Sequence, residues 1–257
     1  MQTSFESSSA GTADSRKPII QLSQVVKVYQ TAAGDFTALK GIDADLHVGE
    51  FVGVIGKSGA GKSTLLNMIT GADMISSGEV IFNTSDGKSI SIHELSENKL
   101  ALWRGRNVGI IHQSFQLLPM LNLVENIMLP VDFSGQYKGR ITKQHALELL
   151  KLVELEDHAY KLPAYISGGQ KQRVAIARSL ANDPPIIVAD EPTGSLDTMT
   201  AETIFEIFET LIGQGRTIIM VTHDNNLAPR FSRRLHISDG MITADSAFQP
   251  APGQEKQ

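Results

Sequence analysis

Gly56-Lys57-Ser58-Gly59-Ala60-Gly61-Lys62-Ser63-Thr64 follows the apolar stretch Phe51-Val52-Gly53-Val54-Ile55 and opens the helix-like run Thr64 to Ile69. A strand, a G-x-x-x-x-G-K-[ST] loop and a helix in that order make a phosphate site. The glycines let the backbone curl so that consecutive N–H groups point inward at phosphate oxygens, and the helix N-terminus adds partial positive charge. Lys62 is placed to reach the β- and γ-phosphates. Ser63 offers its hydroxyl to Mg²⁺, a hard cation that takes oxygen ligands. The loop therefore predicts an α/β fold built around a P-loop.

The 257 residues are 41% hydrophobic, ample for a packed core, and carry a net charge of −5. That balance argues against nucleic acid as the main partner. There is no cysteine, so disulfides and thiolate metal sites are excluded and a reducing compartment fits. The seven histidines show no ligand spacing, and no structural metal is expected. Residues 1–17 lack the apolar core of a signal peptide, and no run approaches the ~18 apolar residues of a membrane span. The chain is expected to be soluble and cytoplasmic, with one domain over 18–245 between flexible extensions at 1–17 and 246–257.

Ile19 to Tyr29, Leu39 to Leu46, Gly78 to Phe82 and Ser89 to Ile92 read as strands, the last two flanking an Asp86-Gly87 turn. They predict an antiparallel β layer beside the nucleotide loop. From about residue 94 to 170 the pattern turns helical, over Leu95 to Trp103, Leu123 to Leu129 and Gln144 to Val153, interrupted by a short strand at Val108 to Ile111. This predicts an inserted α-helical subdomain. Beyond it helices (Gln170 to Ala181, Ala201 to Ile212) alternate with strands (Ile186 to Ala189, Thr217 to Val221), which implies a parallel sheet. A hairpin around Asp239-Gly240 closes the pattern.

Each buried strand runs into a polar group. Ile110-Ile111 leads to Gln113, Ile186 to Ala189 leads to Asp190-Glu191, and Ile218 to Val221 leads to Thr222-His223. Ligands of open α/β sheets sit beyond the carboxyl ends of strands, so these groups should converge on the phosphate loop. Asp190 is the expected Mg²⁺ partner of a P-loop, and Glu191 can accept a proton from, or orient, a water in line with the γ-phosphate. Two ionised carboxylates side by side argue for a cation. His223 can donate to a γ-phosphate oxygen, and Gln113 can ligate Mg²⁺ or position the water. Ser167-Gly168-Gly169-Gln170 precedes another helix and reads in two ways: as a capping box, or as a second anion site for a nucleotide held by another chain.

The set Gly56 to Thr64, Gln113, Ser167 to Gln170, Asp190-Glu191, Ser195-Leu196-Asp197 and His223 closely resembles the ATP-binding subunits of ABC transporters. The resemblance covers residues 18 to 245. It implies a P-loop NTPase (RecA-like) core, ATP and Mg²⁺ as cofactors, and ATPase activity. It also implies a head-to-tail dimer with a second copy of the chain, each ATP held by one P-loop and the partner's Ser167 loop. Ser195 to Asp197 would join the two sites, and Tyr29 would stack on adenine. The stretch from Val108 to Ile127 looks like the branch serving lipoprotein release (LolD-like) and macrolide or peptide export (MacB-like). Ile166 and Ser195 depart conservatively from the family pattern. A separate membrane permease is the implied partner, received near Phe115 to Leu123, with this subunit peripheral on the cytoplasmic face of the inner membrane.

Two other readings compete. An FtsE-type ATPase runs the same cycle to transmit force without moving cargo, and this subunit's sequence does not separate it from a transporter. A soluble ABC ATPase of DNA repair or translation would need a long coiled-coil insertion or a second ATP module, and neither is present.

Overall fold

Five consecutive apolar residues cannot alternate between core and water, so Phe51–Ile55 must be covered on both faces. The structure, a computed structural model, describes residues 17–32, 34–134, 139–194 and 196–246. Residues 1–16, the tail from 247 and Ser195 lie outside the described residues. Strands β1 (Ile20–Thr31), β2 (Gly34–Leu46), β4 (Ser77–Asn83) and β5 (Ser89–Ser91) form a four-stranded antiparallel sheet in the order β2-β1-β4-β5. Strands β3 (Phe51–Ile55), β6 (Val108–Ile111), β7 (Ile186–Asp190), β8 (Thr217–Thr222), β9 (Arg233–Ser238) and β10 (Met241–Ser246) form the second, ordered β10-β9-β3-β8-β7-β6. All neighbours in this sheet are parallel except β10, which returns antiparallel to β9.

The period of two along these strands feeds two separate cores. Val52, Val54, Val188, Ile219 and Val221 face the antiparallel sheet together with Leu65, Met68 and Ile69 of helix α1 (Lys62–Thr70). Phe51, Ile55, Ile187, Ala189, Ile218 and Met220 face the opposite way, onto a helical layer. There, α3 (Leu123–Phe133), α4 (Arg140–Leu152), α5 (Gly168–Ser179) and α6 (Thr198–Gly213) bury their apolar faces. Phe205 and Phe208 of α6 meet Phe51 with ring centroids 6.4 and 5.9 Å apart. The fold is a P-loop NTPase core with an antiparallel sheet and helical parts.

The helical stretch expected from about residue 94 is divided in the structure. Helix α2 (Glu97–Asn107) packs Leu100 and Trp103 on the antiparallel-sheet side, with Trp103 5.5 Å from Phe82 in an edge-on pair. Strand β6 is an edge of the parallel sheet. Residues 97–111 thus contribute to the cores on both faces of the parallel sheet, Leu100, Trp103 and Val108 to one and Ile111 to the other. The layer made by α3 and α4 begins only after them.

Candidate functional site

Strands β3, β8, β7 and β6 are neighbours in that order, so the segments leaving their carboxyl ends are neighbours too. The Gly56 to Thr64 loop leaves β3 and enters α1, whose N-terminal cap is Gly61 in the left-handed region at φ 103°. A Cβ at Gly61 would lie 2.8 Å from the Ala38 carbonyl oxygen, so only glycine fits there. Lys62 is nearly buried, and its ammonium donates to the carbonyls of Gly56 (2.7 Å) and Lys57 (2.9 Å). It therefore folds back onto the start of its own loop, at Gly56 and Lys57.

Ser63 donates to Asp190 Oδ2 at 3.2 Å. Burial pushes the Asp190 carboxyl above its ordinary value and Glu191 adds to this, while Ser63, His112 and Lys62 pull it down. A carboxylate made reluctant to carry its charge, beside a hydroxyl, is an oxygen donor pair that suits a hard divalent cation.

Glu191 turns away from Asp190. Its backbone sits at φ 46°, a region costly for a residue with a Cβ, and its amide donates to the Val221 carbonyl at 3.0 Å. The twist sends its carboxylate to the other side: Oε1 lies 2.7 Å from His223 Nδ1, and Oε2 lies 3.5 Å from Gln113 Nε2, the limit of a hydrogen bond. Gln113, Asp190, Glu191 and His223 thus converge with Ser63 at one end of the sheet. Glu191 is ordered by its neighbours, yet open enough for a water to reach it.

Ser167 and Gln170 form the capping box: Ser167 Oγ accepts from the Gln170 amide at 3.2 Å and Gln170 Oε1 accepts from the Ser167 amide at 2.9 Å. Asp197 caps α6, accepting from the Thr200 amide at 3.0 Å and its hydroxyl at 2.7 Å. These bonds, the Thr200 amide first, hold the Asp197 carboxyl below its ordinary range. Gly169 packs so tightly on the Thr200 side chain that a Cβ would overlap it, while Gly168 faces Phe115. Ser167 to Gln170 and Asp197 therefore form one surface, and among the described residues no hydrogen bond joins it to Gly56–Thr64 of the same chain. Tyr29 is half-buried on β1 with its hydroxyl on Asp73.

Three contributors escaped the sequence reading. Gly240, in the β9–β10 turn, donates to the Ala60 carbonyl at 3.0 Å and accepts from the Lys40 amide at 2.8 Å, bracing the phosphate loop against β2. An Asp-Gly pair signals a turn but not what the turn touches. Arg178, in the last turn of the helix that Ser167 caps, donates to the carbonyls of Gln116 (2.6 Å) and Phe115 (2.9 Å) and so holds the segment after Gln113. His112 is half-buried, and burial together with Arg178 lowers its pKa against the pull of Asp190.

Beside this segment a groove of about 640 Å³ runs between α2, β6, α3 and α5, lined by Leu102, Arg104, His112, Leu118, Phe133 and Arg178 among others. Phe133 is 81% exposed and Met120, nearby in sequence, 77%. Within the expected Phe115 to Leu123 surface, Leu123 is fully buried and Leu117 packs on the helical core, so the open apolar atoms belong to Leu118 and Met120. No helix among the described residues is long and apolar enough to cross a membrane.

A family model described as ABC transporter matches residues 39–194. The ABC transporter ATP-binding protein YknY of Bacillus subtilis is 43% identical over 236 residues, covering 92% of this chain and 100% of the relative. The macrolide export ATP-binding/permease protein MacB of Pasteurella multocida is 39% identical over 230 residues, which are 90% of this chain and 34% of that protein. The cassette MJ0796 of Methanocaldococcus jannaschii, solved as a dimer in a post-hydrolysis state bound to ADP and Pi, superposes with a TM-score of 0.80 at 39% identity, covering 90% of this chain and 99% of that one. With this geometry and these matches, the chain belongs to the ABC transporter family, as an ATP-binding cassette.

Proposed function

We propose that this protein is the motor subunit of a transport complex: it binds Mg-ATP, closes head to tail on a second copy of itself, hydrolyses the nucleotide and passes the motion to a separate membrane permease. The observation that carries the reading is Glu191, held in left-handed backbone between His223 and Gln113 beside the Lys62 loop. In this role Lys62 and the amides of Gly56 to Thr64 bind the phosphates. Glu191 takes the proton of the attacking water as its oxygen bonds to the γ-phosphorus and the bond to the bridging oxygen breaks. His223 holds the Glu191 carboxylate and reaches a γ-phosphate oxygen; Gln113 orients the water. Mg²⁺ would be held by Ser63 and Asp190, with Gln113 as a further ligand, and would neutralise charge on the phosphates.

The surface of Ser167, Gly168, Gly169, Gln170 and Asp197 takes the role of the second phosphate site, acting in trans. Its helix N-terminus and its lack of bonds to its own P-loop support this, as does the dimeric state in which MJ0796 was solved. Tyr29 stacks on the base. The groove at Leu118 and Phe133 receives a short helix of the permease, since apolar atoms this exposed need a partner. The cassette then sits peripherally on the cytoplasmic face of the inner membrane. The cargo we propose is a lipoprotein, lipid, peptide or macrolide; the likeness to macrolide export ATP-binding/permease proteins supports the export class.

The direct test is the ATPase rate of the pure protein and of Lys62→Ala. The substitution removes the charge facing the β- and γ-phosphates, and turnover should fall by about 10²-fold or more. A variant with near-parental turnover would overturn the nucleotide-site assignment.

A further inference from the structure

Lys27 is a nearly buried cation on β1, and a buried charge persists only where partners replace its water. Its ammonium is 2.8 Å from Asp73 Oδ1, 2.6 Å from the Met74 carbonyl oxygen and 4.8 Å from the centroid of the Tyr29 ring. The Tyr29 hydroxyl donates to the other carboxylate oxygen, Asp73 Oδ2, at 3.0 Å. Asp73 itself lies just past the left-handed Gly71 that ends α1, and its amide bonds back to the Asn67 carbonyl of that helix. Burial works against Asp73 ionising, but hydrogen bonds from Lys27, the Met74 amide and Tyr29 outweigh it and hold the carboxyl below its ordinary range.

We propose that Lys27 and Asp73 are positioning residues that fix the Tyr29 ring as the platform for the nucleotide base. The inference rests on the reading that Tyr29 stacks on that base. Asp73 pins the hydroxyl and the Lys27 ammonium covers one face of the ring, so the plane is set and a base would take the opposite face. Asp73, which holds both the Lys27 ammonium and the Tyr29 hydroxyl, is tied to α1, the helix whose first turn carries Lys62, Ser63 and Thr64. The base platform on β1 is therefore pinned to the helix that the phosphate loop enters, with their separation set before the nucleotide arrives. A ring ordered in advance does not lose its freedom on binding.

The test compares ATP with inorganic tripolyphosphate, which has the phosphates but no base, by titration calorimetry on the full chain. Tyr29→Ala should weaken ATP by about 5- to 100-fold, the range for losing one base–aromatic stack, and leave tripolyphosphate unchanged. Lys27→Met and Asp73→Asn should each weaken ATP by about 2- to 10-fold, the cost of ordering one freed side chain, again with tripolyphosphate unchanged. In the Tyr29→Ala background neither should have further effect. If both lower ATP and tripolyphosphate affinity alike, they act as a strut for the fold and the inference is wrong. It is also wrong if they leave the ratio of the two affinities at the parental value while Tyr29→Ala changes it. If Tyr29→Ala itself leaves the ratio unchanged, the base-stacking reading fails and takes the inference with it.

Discussion

His223 Nδ1 lies 2.7 Å from Glu191 Oε1, and the two residues follow neighbouring parallel strands, β8 and β7. Glu191 leaves the end of β7 in left-handed backbone, at φ 46°, and there its carboxylate meets the His223 ring. The carboxylate is thus already placed, and its loss can be separated from loss of nucleotide.

Glu191→Gln keeps the side chain's shape and removes its basicity. Hydrolysis should slow by about 10²-fold or more, the scale of losing general-base assistance, while ATP still enters through Lys62 and the loop amides. The closed state should accumulate. Size-exclusion chromatography with Mg-ATP should show a dimer for the variant and mostly monomer for the parent. A monomeric variant with parental turnover would sink both the role of Glu191 and the two-copy mechanism.

Asp190 makes a prediction about pH. Its folded carboxyl titrates above the ordinary value of 3.8, chiefly through burial, so between those two values the folded state binds more protons than the unfolded one. Stability must then fall as pH rises through that window, and at neutral pH the ionised group destabilises the empty cassette. Asp190→Asn should raise the melting temperature of the nucleotide-free protein at pH 7, with the difference vanishing below pH 3.8. The same variant should lose the extra stabilisation that Mg²⁺ adds to ATP. Melting curves across pH, with and without Mg-ATP, measure both.

If the Ser167 loop acts in trans as proposed, Ser167→Arg should leave the monomer's ATP affinity intact and prevent dimer formation when combined with Glu191→Gln. The substitution also breaks the capping box with Gln170, which costs about 1 kcal/mol and about 2–4 °C of melting temperature at this size. A larger loss of monomer affinity would place Ser167 in its own chain's nucleotide site.

If the groove receives a permease helix as proposed, charged residues there should break the coupling. Leu118→Glu with Phe133→Glu alters exposed atoms, so intrinsic turnover should stay within about two-fold of the parent. Co-purification with the permease should be lost, together with any stimulation of turnover by it. Intact complex formation would exclude this groove as the docking site.

Much of the machinery was legible in the chain because its determinants are local. Gly56 to Thr64 states its own conformation through glycine spacing and the strand before it. The apolar runs ending at Gln113, Asp190 and His223 identify buried strands, and the rule that ligands sit at carboxyl ends predicts their convergence. Ser167 and Gln170, three residues apart, declare a helix start. Asp239-Gly240 declares a turn.

What the tertiary structure alone decided were relations between residues far apart in the chain. Sheet order put His223 beside Glu191 and left Gln113 at the rim; the strand sequences, uniformly apolar, carry no record of which neighbour each will choose. Trp103 and Leu100 joined the antiparallel side, although their periodicity matched that of the helices after them, because periodicity reports that a face is buried and not against what. The same limit hid Gly240 under the phosphate loop, Arg178 behind Gln113, and Asp73 with Lys27 around Tyr29. Those contacts span 44 to 180 residues or more, as Tyr29 with Asp73 and Gly240 with Ala60 illustrate, and arise only when the two sheets and α1 pack together.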